Sequence, residues 1–371
     1  MSSSQIIVLA TPVFLSAIAL ELVVGLARGR NTYRLHDAVT SIGLGMLSQL
    51  VGLFTKLLAI GLYTIVYERV ALWTLPADSI VVWLGALLLY DLCYYWLHRA
   101  GHRVGILWAA HVVHHQSEDY NLSTALRQTS SGALIGWLFY LPMAVIGVPP
   151  LVFGTVALID LLYQFWVHTQ QVGKLGWFDR WFCSPSNHRV HHAVNDRYLD
   201  RNYGGVLIVW DRLFGTFEEE RDGEPCVYGT RAPLRSFNPL WANLEVYASL
   251  ARDAWRARSW RDKLRIWFKP PGWRPADVAG RDPKPAFRLE AVQRYDPAMS
   301  RGAQAAALLL FFALLAAVCA LLWFAHEWSA PALLAGTLLV VAGLWLVGRL
   351  GEGRTANVGP AAAGAVNRTA R

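Results

Sequence analysis

Seven apolar runs constrain the fold of this 371-residue chain more than any other feature of its sequence. A helix rises about 1.5 Å per residue, so a run of about 17 to 25 residues crosses the hydrocarbon core of a bilayer. The chain is also 54% hydrophobic and only 16% charged, with a mean hydropathy of +0.31, which excludes an ordinary soluble domain. The sequence therefore predicts an all-α, polytopic membrane helical bundle. The runs cover residues 6–26, 42–66, 80–97, 133–148, 151–167, 305–324 and 332–347.

The fourth and fifth runs leave two topologies open. Both are short, and only Pro149 and Pro150 separate them. They form either two full crossings, for a total of seven, or a re-entrant helical hairpin that enters the bilayer and returns. Both topologies bring His168 back to the side on which residue 133 began.

The basic residues predict the orientation of the chain. Lys and Arg number 34 against 26 acids, for a net charge of +8, and they are concentrated in residues 169–303. Loops on the cytoplasmic side are rich in Lys and Arg, so we attribute the charge to topology and expect no nucleic-acid partner. The first run has no basic residue before it, and Arg28, Arg30 and Arg34 follow it. We expect this run to stay attached with its N-terminus outside. Residues 98–130 and 169–303 and the C-terminal tail are then cytoplasmic.

The chain is expected to divide into four parts. Residues 1–40 hold the first span and a basic loop, and residues 41–303 form the central domain, in which spans carry a cytoplasmic histidine-rich cap. Residues 304–350 contain two further spans, which have no residue of evident chemical function and are expected to anchor or dimerise. Residues 351–371 lack apolar periodicity and are expected to form a disordered tail.

Histidines carry the chemistry that the sequence predicts. Eight of the eleven fall into three clusters, HxxxH, HxxHH and HxxHH, and one more ends the fifth apolar run. In a helix, positions i, i+3 and i+4 share a face, so each cluster presents its imidazoles to one point. The candidate metal ligands are His98, His102, His111, His114, His115, His168, His188, His191 and His192.

The number of these histidines indicates two metal ions, because nine imidazoles exceed what one ion binds. Imidazole suits zinc, copper, iron and nickel, and no HExxH motif supports a zinc protease. Function favours iron, since no hydrolytic substrate or base is evident. A non-catalytic metal-binding or transport protein is the alternative of another class. Transporters hold their ligands near the bilayer midplane, however, whereas these histidines all follow the ends of spans.

Carboxylates near the clusters are candidates to orient the ligands. A metal-bound imidazole usually donates its second ring N–H to a carboxylate or carbonyl, and we expect Asp119 and Asp211 to accept such bonds. Asp91 lies inside the third run, seven residues before His98. It either lines an access path or is a paired structural residue.

The pattern HxxxH, HxxHH, HxxHH around apolar spans resembles the fatty acid hydroxylase and sterol desaturase superfamily of membrane di-iron oxygenases. Residues 114–128, 164–168, 202–205 and 210–217 are similar to the alkylglycerol monooxygenase branch, and the resemblance extends over about residues 35–220. It implies hydroxylation of the ether-linked carbon of glyceryl ethers, with two iron ions and with tetrahydrobiopterin as the reductant. The sequence departs from that branch at Arg103, where the branch carries a glutamate directly after HxxxH.

The resemblance leaves the reaction and the electron donor open. Inserting one atom of O2 into a C–H bond consumes two external electrons, and the chain has no flavin, nicotinamide or iron–sulfur fingerprint. The reductant is therefore either the pterin or an external electron-transfer protein. A basic, Trp-rich stretch at residues 252–269 either docks such a protein or lies on anionic headgroups. The lipid substrate is expected to enter sideways from the bilayer. A sterol or fatty acyl desaturase is the nearest alternative, and the sequence does not determine the oligomeric state.

Overall fold

A computed structural model describes residues 3–352, apart from the side chains of residues 3, 56 and 57. Within that range the chain is all-helical, and its only β pairing is two isolated bridges. The α-helices are α1 (Ser3–Ala27), α2 (Leu35–Val70), α3 (Ile80–Arg103), α4 (Gly105–His115), α5 (Leu122–Ala125), α6 (Leu141–Ile146), α7 (Pro150–Tyr163), α8 (Phe178–Trp181), α9 (Pro185–His192), α10 (Val209–Leu213), α11 (Pro239–Arg256), α12 (Trp260–Phe268), α13 (Ala276–Arg281), α14 (Arg301–Trp323) and α15 (Ala330–Gly351). Three short 3₁₀ helices cover Gly132–Leu134, Gly136–Tyr140 and Leu289–Ala291.

Five of the described helices are long and apolar enough to cross a membrane, which makes the chain a multi-pass membrane protein. They are Ser4–Ala27, Leu35–Thr55, Ile80–Arg103, Arg301–Trp323 and Ala330–Gly351. Seven full crossings are therefore not confirmed, and the re-entrant hairpin stays a prediction. The fourth and fifth runs form only shorter apolar helices, at Gly136–Ile146 and Pro150–Tyr163.

The fourth run folds as short helices rather than as one long span. Two 3₁₀ helices precede α6, which is six residues long. Gly147 ends α6 with a φ of 99°, and a Cβ at this position would lie 1.7 Å from the carbonyl oxygen of Trp73. Only glycine adopts this conformation at so close an approach. The run is apolar, as expected, but it is not one continuous helix.

The two C-terminal spans pack against α2. A cluster of buried apolar side chains, including Leu50, Phe311 and Leu344, joins α2, α14 and α15. Gly343 lets α14 and α15 approach closely, since a Cβ there would lie 2.5 Å from Leu314. Helices in lipid associate through such close packing rather than through the hydrophobic effect. The last residues of α15, Gly351 among them, are helical, while the rest of the tail expected to be disordered, residues 353–371, lies outside the described residues.

The fold brings the histidine motifs to one end of the bundle. The HxxxH motif forms the last turns of α3, and α4 follows after a single residue, carrying the first HxxHH motif. The second HxxHH motif lies on α9, which begins with Pro185. The side chain of Ser184 caps this helix by accepting a hydrogen bond from the Asn187 N–H at 3.3 Å.

Candidate metal centre

The nine histidines predicted from the sequence converge into two groups. In each group, one nitrogen of every imidazole lies within 4.8 Å of such a nitrogen on every other member. The rings of His115 and His192 stack at 4.4 Å between centroids and join the two groups. The five-histidine group is His98, His102, His111, His115 and His191, and the four-histidine group is His114, His168, His188 and His192.

Each group draws ligands from several elements. α3 supplies two members of the five-histidine group, and α4 and α9 each divide their histidines between the groups. His168 follows α7 and belongs to the four-histidine group. The arrangement therefore depends on the tertiary fold, and no single motif forms a site by itself.

Burial keeps the imidazoles neutral. Burial, followed by the charges of neighbouring histidines, lowers the pKa of His168, His188 and His192 well below the ordinary value. Burial also lowers the pKa of His114, to about 4. A neutral imidazole keeps one nitrogen lone pair free, which is the form that binds metal.

Backbone carbonyls fix which nitrogen carries the proton. The Nδ1 of His98 lies 2.8 Å from the carbonyl of Tyr203, and the Nδ1 of His191 lies 2.9 Å from that of Arg201. His114 and His168 make the same contact with the carbonyls of Arg127 and Gln164, at 3.1 and 2.8 Å. A carbonyl only accepts, so each Nδ1 donates. In these four rings the Nε2 lone pair is left free.

The free Nε2 atoms face each other at distances that a shared cation explains. His114 Nε2 lies 3.1 Å from His168 Nε2, which in turn lies 3.0 Å from His188 Nε2. The ring protons of His114 and His168 lie on their Nδ1 atoms. Their two Nε2 atoms therefore face each other with lone pairs, which repel. Two nitrogens bound about 2.1 Å from one ion lie about 3.0–3.4 Å apart at tetrahedral or right angles. The donor set and its spacing therefore fit a metal ion.

The Nε2 atoms of the five-histidine group are also arranged in a way that fits a bound cation. The Nε2 atoms of His98 and His102 are buried and have no hydrogen-bond partner among the described residues. An unpaired buried polar atom is costly, so a native structure seldom leaves one without a function. The Nε2 of His115 also lies 3.0 Å from that of His111 and 3.2 Å from that of His191.

Asp200 is the carboxylate beside the imidazoles, and the sequence analysis did not identify it. One of its oxygens lies 3.4 Å from Nδ1 of His102, and the other lies 3.5 Å from the Arg103 guanidinium. Burial alone would raise the pKa of Asp200, but the contact with His102 and the charge of Arg103 hold it below its usual value. Arg103 is thus paired with Asp200 at the rim of the five-histidine group.

The two carboxylates predicted to orient the ligands lie elsewhere. Asp211 accepts hydrogen bonds from the backbone N–H groups of Tyr203 and Gly204, at 2.8 and 2.7 Å. It therefore acts on His98 through the Tyr203 carbonyl rather than by direct contact. Asp119 accepts a hydrogen bond from Arg34 at 2.8 Å. The structure does not bring Asp119 to the imidazoles, although it lies four residues after His115.

The hydrogen bonds of Asp91 favour the structural interpretation of this residue over the access path. Its carboxylate accepts hydrogen bonds from the N–H groups of Val206 and Leu207 and from the indole of Trp210, at 2.7, 2.9 and 2.9 Å. Val206 and Leu207 lie just after the two residues that Asp211 holds, and Trp210 directly precedes Asp211. The two carboxylates together fix the loop that supplies the carbonyl for His98.

A cavity of about 380 Å³ reaches both histidine groups. His98 and His111 of the five-histidine group line it, as do His114 and His168 of the four-histidine group. Most of its remaining wall is apolar and comes from membrane helices. The volume lies within the range of about 300–1,000 Å³ for small-molecule pockets. The site therefore combines a metal-binding end with an apolar chamber.

Comparisons with known proteins agree with this arrangement. Residues 83–216 match the family model described as fatty acid hydroxylase. The chain is 44% identical over 267 residues to alkylglycerol monooxygenase from Homo sapiens, covering 72% of this chain and 59% of the relative. It is 39% identical over 308 residues to alkylglycerol monooxygenase from Danio rerio, covering 82% of this chain and 68% of the relative.

A more distant relative is an ornithine lipid hydroxylase from Rhizobium tropici, 28% identical over 124 residues, with 33% of this chain and 38% of that protein covered. No solved structure matches the chain. The alignments thus span roughly six to seven tenths of the length of the two alkylglycerol monooxygenases. On these matches, the chain belongs to the fatty acid hydroxylase family and is related within it to the alkylglycerol monooxygenases.

Proposed function

We propose that this protein is an integral membrane oxygenase that binds two iron ions, one in each histidine group, and hydroxylates a C–H bond of a lipid with O2. One observation carries the proposal: histidines of both groups line an apolar cavity between membrane helices. A metal store or transporter would not need an apolar chamber beside its ligands. All nine histidines are the proposed ligands, with Asp200 and Asp211 positioning them.

Bound iron supplies the activation of O2, and the residues of this chain supply the environment for it. The carbonyls of Tyr203, Arg201, Arg127 and Gln164 hold the Nδ1 protons and thereby aim the Nε2 lone pairs inward. The apolar wall excludes water from the substrate carbon. The cavity also positions a lipid chain next to the histidines, and such positioning lowers the barrier of a bimolecular reaction.

The relatives favour a glyceryl ether as the substrate. Four relatives, 36–44% identical to this chain, are named alkylglycerol monooxygenase, and their alignments cover most of this chain. The reaction we infer places a hydroxyl group on the ether-linked carbon. The resulting hemiacetal separates into a fatty aldehyde and glycerol. Desaturation of an acyl or sterol substrate is the alternative, which product analysis distinguishes.

The two electrons come from an external donor in this proposal. Tetrahydrobiopterin is the donor that the resemblance to alkylglycerol monooxygenases favours, and an electron-transfer protein is the alternative. Arg103 is relevant here because its side chain is half exposed and pairs with Asp200. It gives the rim of the five-histidine group a positive charge where the related branch carries a glutamate.

The orientation of the protein follows from its basic segments. We place the histidine centre on the cytoplasmic face and the N-terminus outside, since basic loops remain on the cytoplasmic side. Trp255 and Trp260, at the junction of α11 and α12, are 86% and 79% exposed. Exposed tryptophans among basic residues are typical of a segment that lies on the membrane surface. This supports the headgroup interpretation of residues 252–269.

The test uses the purified full-length chain, loaded with iron and incubated with 1-O-hexadecylglycerol and O2. Tetrahydrobiopterin and a reduced ferredoxin are supplied in separate reactions, and products are identified by mass spectrometry. We expect hexadecanal and glycerol, with His114→Ala forming neither. If a matched acyl lipid is hydroxylated instead, the hydroxylase function stands and the glyceryl ether is rejected as the substrate. An alkene product would replace hydroxylation by desaturation, and no O2 consumption with either reductant would contradict the proposal.

A further inference from the structure

The wall of the cavity extends beyond the segment that matches the family. The match covers residues 83–216, whereas α1 and α14 lie outside it at either end of the chain. Both helices nevertheless contribute to the lining. Their lining residues include Ile7, Thr11 and Phe14 on α1 and Leu315, Val318 and Leu322 on α14.

On each helix these residues form one face. Ile7, Thr11 and Phe14 follow a spacing of four and three, and Leu315, Val318 and Leu322 follow a spacing of three and four. Helical residues at these spacings lie on the same side. Other apolar residues of the same helices face outward, with Ile6 38% and Leu309 75% exposed. Each helix therefore has one face toward the cavity and another away from it.

The position of α1 is fixed at the histidine end. Glu21 is buried on α1 and accepts hydrogen bonds from the hydroxyl of Thr169 and from the N–H of Leu122, the latter at 2.7 Å. Thr169 directly follows the candidate ligand His168. Tyr33 also donates its hydroxyl to Glu21. These hydrogen bonds fix the position of α1 relative to the candidate ligand His168.

The opposite end of the cavity lies far from that anchor. Ile7 precedes Glu21 by 14 residues, which is about 21 Å along a helix. At that end the side chain of Gln5 donates to the carbonyl of Trp323 at 3.4 Å, which places the start of α1 beside the end of α14. Ile7 and Leu322 both line the cavity near this contact.

We propose that α1 and α14 close the far end of a site for one long alkyl chain, and that Ile7 and Leu322 set the chain length that the protein accepts. The cavity of about 380 Å³ is near the lower end of the usual pocket range, which suits one chain rather than the two of a diacyl lipid. This inference rests on the proposed function for the identity of the reacting end. It gives α14, the first of the two C-terminal spans, a role in substrate selection beyond anchoring.

The test measures binding, so that it does not depend on turnover. The probes are dodecylglycerol and octadecylglycerol, and their affinities for the purified full-length protein are measured by native mass spectrometry. Ile7→Trp and Leu322→Trp fill the far end, and we expect each to weaken octadecylglycerol binding about tenfold by overpacking while dodecylglycerol binding is retained. Ile7→Ala should instead strengthen the preference for the longer chain.

Matched controls lie on the same helices. Ile6→Trp is the control for Ile7→Trp, because Ile6 lies on the exposed face of α1. Leu309→Trp is the control for Leu322→Trp, because Leu309 is an exposed leucine of α14. Both controls should bind the two probes as the unmodified protein does. Equal effects of lining and exposed substitutions, or unchanged octadecylglycerol binding in Ile7→Trp, would overturn the inference. Should Leu322→Trp fail to fold, the comparison of Ile6 with Ile7 decides alone.

The two proposals fail in different ways. Selective chain binding without oxidation of either probe would contradict the proposed function and leave the chain site standing. If the protein oxidises glyceryl ethers but the Ile7 variants keep the chain-length preference of the unmodified protein, the proposed function stands and the chain site is rejected. Metal content, measured on the same samples, confirms that the substitutions leave the histidine groups intact.

Discussion

His114 and His168 point their Nε2 atoms at each other across 3.1 Å while each donates its Nδ1 proton to a backbone carbonyl. The two residues are 54 positions apart in the chain and come from different elements. No hydrogen bond stabilises this contact, because neither Nε2 has a proton to donate. A cation bound between the two lone pairs is the arrangement that stabilises it.

Loss of the Asp211 carboxylate should weaken metal retention. Asp211 holds the backbone of Tyr203 and Gly204, and burial raises its pKa to about 6, so that it is largely ionised at neutral pH. In Asp211→Ala the Tyr203 carbonyl is no longer fixed beneath His98. We expect about a 10- to 100-fold loss of metal affinity, the usual effect of removing an outer-shell partner. Chelator titration measures it, with the exposed Asp222→Ala as the control. Equal affinities for the two variants would exclude the positioning role.

Asp200 and Arg103 should differ in importance although they contact each other. Asp200 lies against Nδ1 of His102, whereas the half-exposed Arg103 pairs with Asp200. We expect Asp200→Ala to lower the metal affinity of the five-histidine group about tenfold or more, and Arg103→Ala to change it less than about threefold. Metal content after dialysis against a graded chelator series distinguishes them. A larger loss in Arg103→Ala would show that the guanidinium, rather than the carboxylate, organises the rim.

Substitution of Asp91 should destabilise the fold. Its carboxylate accepts three hydrogen bonds, from Val206, Leu207 and Trp210. In Asp91→Asn the side-chain amide would offer a single acceptor oxygen and leave at least one buried donor unpaired, at a cost of about 1–3 kcal/mol. Thermal unfolding of Asp91→Asn should therefore occur at a lower temperature than that of the exposed control Asp78→Asn. Identical unfolding temperatures of the two variants would contradict a structural role of Asp91 and favour the access-path interpretation.

Removal of the Glu21 anchor should loosen α1. Glu21 accepts hydrogen bonds from Thr169, Leu122 and Tyr33. Glu21→Ala leaves these donors unpaired, and we expect faster tryptic cleavage at the basic loop of residues 28–34, since local opening exposes the backbone. Glu68→Ala, on the exposed end of α2, is the control. Unchanged cleavage of Glu21→Ala would show that α1 is held by its apolar contacts alone.

The nine histidines could be predicted from the sequence because their spacing is a helical property. Motifs at i, i+3 and i+4 on helices that follow membrane spans are expected to meet at one end of a bundle. How they divide is not visible in the spacing: His114 and His115 are adjacent in sequence but belong to different groups. Neighbouring helical residues point about 100° apart, so the tertiary packing decides which ion each faces.

The groups that orient the imidazoles were harder to predict, because most of them belong to the backbone. Every residue has a carbonyl, so nothing in the sequence marks those of Arg127 or Arg201 as acceptors. Asp200 and Asn202 flank Arg201 with φ values of 58° and 57°, which is a signal of a tight loop visible only in the structure. Asp119 was a reasonable candidate by proximity in sequence, but its carboxylate turns toward Arg34. The sequence does not fix the number of full crossings for a related reason, since hydropathy does not show where a helix ends.

The measurement that tests the central claim most directly is the metal content per chain, with His168→Ala compared with the unmodified protein and with the exposed control His326→Ala. Elemental analysis of the protein purified in detergent should find about two irons per chain in the unmodified protein and in the control. His168→Ala should lose about one, because His168 belongs only to the four-histidine group. Two irons retained in His168→Ala, or no metal bound by the unmodified protein after reconstitution with ferrous iron, would contradict the account.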